Sequence, residues 1–370
     1  PRMRTFVRGE GEGWVRGRIK QKLAASFATN NDNRMSITPD RTFLIDGLQY
    51  CNWSRHIFEQ MREGNLDAVH VTICYHETFR ETAGNIATWN RLFEDHSDII
   101  MPGRFAADLV AAQETRRTAI FFGLQNCSAI EDDIGLVEVL YDLGVRFMQL
   151  TYNNQSLLAS GCYEPVDGGV TRMGKEVIRE MNRLGFVIDM SHSGERSTLE
   201  AIELSERPIA ITHANPNFWH EAPRNKSDQV LDALKESGGI IGLSLYPHHL
   251  KGGSNCAAAD FAGMAKRLAD KIGPSQVAIG SDLCQDQPDR VVEWMRSGRW
   301  TKEGSAPGCA PKATFPPQPS WFRDNRDFPG LREPLRKAGF APSEIDGILG
   351  GNWHRFFAQS FPPAKPRFTA

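Results

Sequence analysis

Val187-Ile188-Asp189-Met190-Ser191-His192 and, one helical stretch later, Pro208-Ile209-Ala210-Ile211-Thr212-His213 decide how this chain folds. Each is a short apolar run that passes through a small hydroxyl residue and ends on a histidine. Glu195–Leu204, between them, carries the periodicity of a helix. Short apolar runs of this kind read as strands buried on both faces, and strand–helix–strand order makes the two strands parallel neighbours. The two histidines then emerge at matching positions, at the same end of adjacent strands.

The same alternation extends in both directions through the 370 residues. Predicted strands are Thr42–Asp46, Ala68–Cys74, Thr118–Leu124, Arg146–Leu150, Val187–Met190, Pro208–Thr212, Ile240–Leu245 and Val277–Gly280. Helical patterns separate them, at Trp53–Glu63, Thr88–His96, Gly135–Leu143, Lys175–Leu184, Glu195–Leu204, Asp228–Ser237 and Ala259–Lys271. This is the pattern of an α/β protein, a single (β/α)8 TIM barrel over residues 42–370, with a lead-in over residues 1–41 and a helical closure at the C-terminal end. An open doubly wound sheet would show a glycine-rich phosphate turn after its first strand, and Asp46-Gly47-Leu48-Gln49 is not one. The segment from Gln285 to Gly330 is rich in Pro, Gly and Trp and starts at the barrel mouth. It reads as a lid, or as packing against the barrel side or a subunit interface.

The net charge of -2 gives no push toward nucleic acid or an anionic membrane. No run approaches 18 apolar residues, so no transmembrane helix is expected. No apolar signal segment is visible in Pro1 to Lys20. The seven cysteines are scattered, which fits a reducing, cytoplasmic setting better than a disulfide scaffold. Cys51, Cys74, Cys127 and Cys284 fall near strand ends and read as small buried hydrophobes.

In a barrel of this kind chemistry sits at the C-terminal strand ends. The predicted first strand delivers Leu48, Gln49 and Tyr50, the third Gln125, the fourth Tyr152 and Asn153, and the seventh Tyr246 and His248. The eighth delivers Asp282. His192 and His213 are what a divalent first-row metal needs, with Gln125 as a further candidate ligand. Asp282 is the candidate base or further ligand. Arg224, Tyr50, Tyr152 and Asn153 are candidate substrate contacts, Arg224 through a bidentate pair with a carboxylate. His76, His248 and His249 are possible replacement ligands.

Several stretches together resemble the membrane (renal) dipeptidase family, peptidase family M19, from about Asp46 to about Phe357. They are Asp189-Met190-Ser191-His192, Thr212-His213-Ala214-Asn215, Arg224-Asn225 with Asp228, Gly280-Ser281-Asp282, Gly350-Gly351-Asn352 with Arg355, and Gly144-Val145-Arg146 through Leu150-Thr151. The resemblance implies a two-metal hydrolase of dipeptides and a homodimer. One metal would use a His and an Asp after the first strand, the other the two histidines after the fifth and sixth, and a Glu after the third strand would bridge them.

The chain departs from that pattern at one place. The family's His and Asp positions are Leu48 and Tyr50, the bridging Glu is Gln125, and a substrate-contacting His is Tyr152. The resemblance therefore implies a single divalent metal, zinc or similar, with the second absent. The expected function is a dipeptidase-like metallohydrolase of a small amide bearing a carboxylate. The alternatives are a repurposed barrel, whose tyrosines would suit a methylated amine, and a non-catalytic binding protein.

Overall fold

Main-chain pairing around the barrel explains why the strand ends converge. The computed structural model describes residues 42–299 and 314–361. The lead-in over residues 1–41, residues 300–313 of the expected lid and the stretch after 361 lie outside the described residues. The strands are β1 (Ile45–Gln49), β2 (Ala68–Cys74), β3 (Ile100–Gly103), β4 (Thr118–Leu124), β5 (Val145–Gln149), β6 (Val187–Asp189), β7 (Ala210–Ile211), β8 (Ile240–Leu243) and β9 (Val277–Ile279). All pair in parallel, in the order β1-β2-β4-β5-β6-β7-β8-β9. Beyond β9 the chain closes on β1. The Asp282 N–H donates to the Leu48 carbonyl at 3.1 Å, and the Tyr50 N–H to the Leu283 carbonyl at 3.1 Å.

The helices are α1 (Arg55–Glu63), α2 (Phe79–Asp95), α3 (Ala106–Glu114), α4 (Gly135–Asp142), α5 (Arg172–Leu184), α6 (Glu195–Leu204), α7 (Asp228–Ser237), α8 (Ala258–Ile272), α9 (Arg290–Ser297), α10 (Arg332–Lys337), α11 (Pro342–Asp346) and α12 (Asn352–Ser360). Local chemistry sets several ends. Thr78 and Glu81 form a capping box that starts α2. Thr171 caps α5 by accepting the Gly174 N–H, and Gly185 stops it at a φ of 85°.

The apolar side chains gather into two large cores and a smaller tyrosine cluster at the mouth. One lies between strands and helices, with Ile57, Phe58, Val69 and Ile241 among its members. The other fills the barrel interior with Ile45, Ala68, Phe121, Phe147, Val187 and Ala278, and is plugged by Trp353, Phe356 and Phe357 of α12. The Trp353 indole donates to the Ile279 carbonyl at 2.8 Å. Gly47 makes room for this plug: a Cβ there would sit 2.6 Å from the Trp353 ring.

The expected elements need three corrections. The first strand runs over Ile45–Gln49 rather than Thr42–Asp46, because pairing with β2 begins at Ile45↔Ala68. The strands expected fourth to eighth each end one or two residues earlier than the apolar runs suggest. The unexpected β3 pairs with Thr118 to Phe121 on β4, while β5 pairs with the rest of β4, from Phe122 to Leu124. Four residues that include Pro102 carry too little pattern to be read as a strand.

The β1–β9 seam is also stitched by side chains. The Asp46 carboxylate accepts from the Ser281 N–H at 2.7 Å, the Ser281 hydroxyl at 2.5 Å and the Gln49 amide at 2.8 Å. Gln49 donates onward to Asn325 at 2.8 Å, which ties the post-barrel segment to the seam. Asp46→Ala would strand these buried donors and is expected to cost about 3 kcal/mol of unfolding free energy, read by chemical denaturation. A loss under about 1 kcal/mol would mean that the seam does not hold the barrel closed.

Candidate active site

The barrel interior turns from apolar to polar toward its C-terminal end. His70 stacks on Phe147 at 4.2 Å, and its Nδ1 lies 2.6 Å from the Gly47 carbonyl. Above it Asp189 is surrounded by donors. It accepts from the Ser191 N–H (3.0 Å) and hydroxyl (2.6 Å), the Thr212 N–H (3.0 Å) and hydroxyl (2.6 Å), and the Gln149 amide (2.8 Å).

The two histidines meet directly above. His192 Nε2 lies 3.0 Å from His213 Nε2. His192 Nδ1 is 2.7 Å from Asn153 Oδ1, and His213 Nδ1 is 2.8 Å from Thr212 Oγ1. Thr212 has one proton, and the shorter, charge-assisted bond to Asp189 takes it. Thr212 Oγ1 is then an acceptor toward His213, as Asn153 Oδ1 is toward His192. Both imidazoles therefore carry their proton on Nδ1, and two Nε2 lone pairs face each other. Such a pair is relieved by a cation between them. Nitrogens on a tetrahedral zinc stand roughly 3.3 Å apart, close to the spacing found. Burial and then the Arg224 guanidinium push both histidines well below the ordinary imidazole range, so both are neutral and do not need to shed a proton to ligate.

A third ligand of the His, Cys, Asp or Glu type is not in place among the described residues. Among the described residues no group of three or more His, Cys, Asp or Glu could hold a metal ion. Gln125 is buried, and its amide donates to Thr72 at 2.7 Å. Leu48 is fully buried at the seam. The residues fit a two-nitrogen seat for one metal, with the rest of its shell left to solvent or substrate. They do not fit the two-metal centre of the family pattern.

Beside the pair is a cavity of about 60 Å³, lined by Tyr50, Gln125, Tyr152, Asn153, His192, Arg224 and Asp282 among the residues singled out from sequence. His213 reaches it only through His192. Tyr246, His248 and His249 line it as well, whereas His76 and the four strand-end cysteines do not. Burial pushes the Cys74 thiol up to about 12 and that of Cys127 to about 11, so both are inert. Tyr163, Met295 and Arg296 also line the cavity and had no sequence signal. They belong to a loop and to α9, outside the strand ends.

Asp282 is the carboxylate of this wall. Its backbone has a φ of 58°, and that of Asn153 is 61°. Asp and Asn are the non-glycine residues that adopt this left-handed conformation most readily. Burial pushes the Asp282 carboxyl up to about 7, against the pull of Arg224 and with help from Asp46 and Asp189. The imidazole of His249 approaches Asp282 at 3.9 Å and Ser244 at 2.8 Å. This is no nucleophilic triad, because both contacts fall on the same Nδ1 and Ser244 is fully buried.

Arg224 is already engaged. Its guanidinium donates to the Ser191 carbonyl and, at 3.2 Å, to that of His213. Lys226, unmarked by the sequence reading, donates to the Met190 carbonyl at 2.8 Å and to that of Ser193 at 3.1 Å. The two cations brace the main chain that carries both histidines.

The folded chain holds the Asp282 proton more tightly than the unfolded chain does. The resulting stabilisation is complete below pH 4 and is lost as pH rises through 7. In chelator-treated protein, the unfolding free energy of Asp282→Asn minus that of the native chain should rise by about 4 kcal/mol between pH 4 and pH 8. A flat difference would show that this carboxyl is not displaced.

Comparison with known proteins places the chain in a family. The family model "Membrane dipeptidase (Peptidase family M19)" matches residues 46–295. The chain is 29% identical over 235 residues to dipeptidase verJ of Clonostachys rogersoniana, covering 62% of this chain and 59% of that protein. It is 24% identical over 370 residues to dipeptidase aclJ of Aspergillus oryzae, covering 92% of this chain and 80% of that one. The crystal structure of an amidohydrolase from Pseudomonas aeruginosa superposes with a TM-score of 0.81 at 35% identity, over 86% of this chain and 97% of that one. A metallopeptidase from Rhodobacter sphaeroides, solved with a phosphinate mimic of L-Ala-D-Ala, has the same fold, with a TM-score of 0.71 at 16% identity over 87% of this chain and 100% of that one. The chain therefore belongs to the membrane dipeptidase family, peptidase family M19.

Proposed function

We propose that this barrel hydrolyses the amide bond of a small substrate bearing a carboxylate, a dipeptide or an N-acyl amino acid, with one divalent metal at His192 and His213. The observation that carries the reading is the facing Nε2 pair, each imidazole fixed through its Nδ1, beside a buried carboxyl poised near neutrality.

A metal held there, zinc or similar, would supply Lewis-acid polarisation of the scissile carbonyl. Asp282 takes a proton from the attacking water at its carboxylate and returns it to the leaving nitrogen, a role suited to a carboxyl pushed up to about 7. Arg224 supplies positive field on the carboxylate side of the cavity while bracing the histidines. Tyr152 stacks on His192 at 4.1 Å and, with Tyr50, keeps water from that face. A second reading, a metal-free barrel that binds a small ligand, is favoured by the missing third ligand. Among the described residues no helix is long and apolar enough to cross a membrane. The family resemblance suggests a homodimer, and the free cysteines among the described residues suit a reducing, cytoplasmic setting.

The expected result is slow, chelator-sensitive hydrolysis of some members of a dipeptide and N-acyl amino acid panel, with kcat reduced about a hundredfold or more in Asp282→Asn and KM changed far less. Hydrolysis that survives chelation unchanged, or an Asp282→Asn enzyme of native kcat, would remove this mechanism.

A further inference from the structure

The cavity holds a second guanidinium that no described group neutralises. Arg296 on α9 is 8% exposed and lines the same wall as Asp282 and Arg224. Its Nη2 lies 3.4 Å from the Tyr246 hydroxyl, a weak contact. Its Nη1 is buried with no hydrogen-bond partner, and no carboxylate among the described residues lies within ion-pair distance of Arg296. A buried cation with an unmade hydrogen bond is costly unless something supplies the anion.

The helix that presents it is fastened to the mouth. The Trp294 indole donates to Glu77 at 3.1 Å, and His76 Nε2 lies 3.3 Å from the Met295 carbonyl. Arg299 donates to the His76 carbonyl at 3.0 Å and to the Glu81 carboxylate. Met295 packs with Tyr50, Tyr75 and Tyr152. Trp294, Met295 and, beyond the helix, Arg299 thus find ordinary partners in the protein, while Arg296 turns a buried Nη1 inward with none. The described part of the post-barrel segment covers the mouth and brings a charge to it.

The sign of that charge narrows the ligand. Tyr152 and Tyr163 each feel both the Arg224 and the Arg296 guanidinium, so the two cations share one small space. Two guanidiniums against one carboxylate leave a net positive wall that opposes a methylated amine, and a substrate carboxylate met at Arg224 would still leave Arg296 Nη1 without a partner. We propose that Arg296 binds a second anionic group, so that the pocket takes small dicarboxylates: amides whose C-terminal residue is aspartate or glutamate. The amide part rests on the hydrolase reading, whereas the dicarboxylate part rests on Arg296 itself.

The test separates the two. Calorimetric titration of the full chain with glutarate and with butyrate compares two carboxylates with one and needs no turnover. Glutarate should bind at least about tenfold more tightly. Arg296→Gln should shrink the ratio to within about twofold, and Arg296→Lys should keep part of it. Without ligand, Arg296→Gln should melt at or above the native temperature, because an unpaired buried charge is gone. Equal binding of the two acids, no binding of either, a ratio unchanged in Arg296→Gln, or a clearly lower melting temperature would each overturn the assignment. Turnover of Ala-Ala with equal binding of the two acids would sink Arg296 and leave the hydrolase reading standing. Glutarate selectivity lost in Arg296→Gln, with no amide ever cut, would do the reverse.

Discussion

The Asp189 carboxylate is the contact on which the site depends. Five donors from β5, from the chain after β6 and from the end of β7 converge on its two oxygens. They lock Ser191 and Thr212, the residues immediately before the two histidines. They also take the Thr212 proton, which fixes the tautomer of His213 and leaves its Nε2 facing His192. One buried carboxylate thus joins the register of adjacent strands to the protonation of the residues above them. A polar network so fully satisfied is rigid, and rigidity is what a two-nitrogen seat needs when it lacks a third protein ligand.

Leu48, Tyr50 and Gln125 stand where the family resemblance puts the other half of a two-metal centre. Leu48 is fully buried at the seam, Gln125 donates to Thr72, and Tyr50 joins Tyr75, Tyr152 and Met295 in an aromatic wall. Three positions that would carry charge or ligand lone pairs now pack or bond to the protein. Asp282, pushed up to about 7 by burial, is the carboxyl left on this wall, with the Arg224 guanidinium acting on it.

The barrel was legible because each buried strand is a short apolar run and each helix between has its own period. His192 and His213 were legible because strand ends in such a barrel point one way. The seat of Asp282 was legible for the same reason, from Gly280-Ser281-Asp282 at the close of the last strand. Other features were not. β3 is four residues with a proline, too short for any period. Arg296 sits on a helix in a stretch that read as irregular, and one arginine among Val292, Trp294 and Met295 looks like a surface charge. Its burial is a tertiary fact, made by the contacts of Trp294 with Glu77 and of Arg299 with His76 across 217 and 223 residues of sequence. Lys226 is hidden likewise, because nothing local says that its ammonium turns inward to the Met190 carbonyl.

The account stands on one cation seat formed by His192 and His213 and on the loss of the other. Calorimetric titration of zinc into chelator-treated full chain, beside His213→Ala, measures this directly. The account predicts one equivalent bound to the native chain and none at comparable affinity to the variant, with both proteins melting cooperatively. Two equivalents, no binding at all, or a variant that keeps the native stoichiometry and affinity would contradict it.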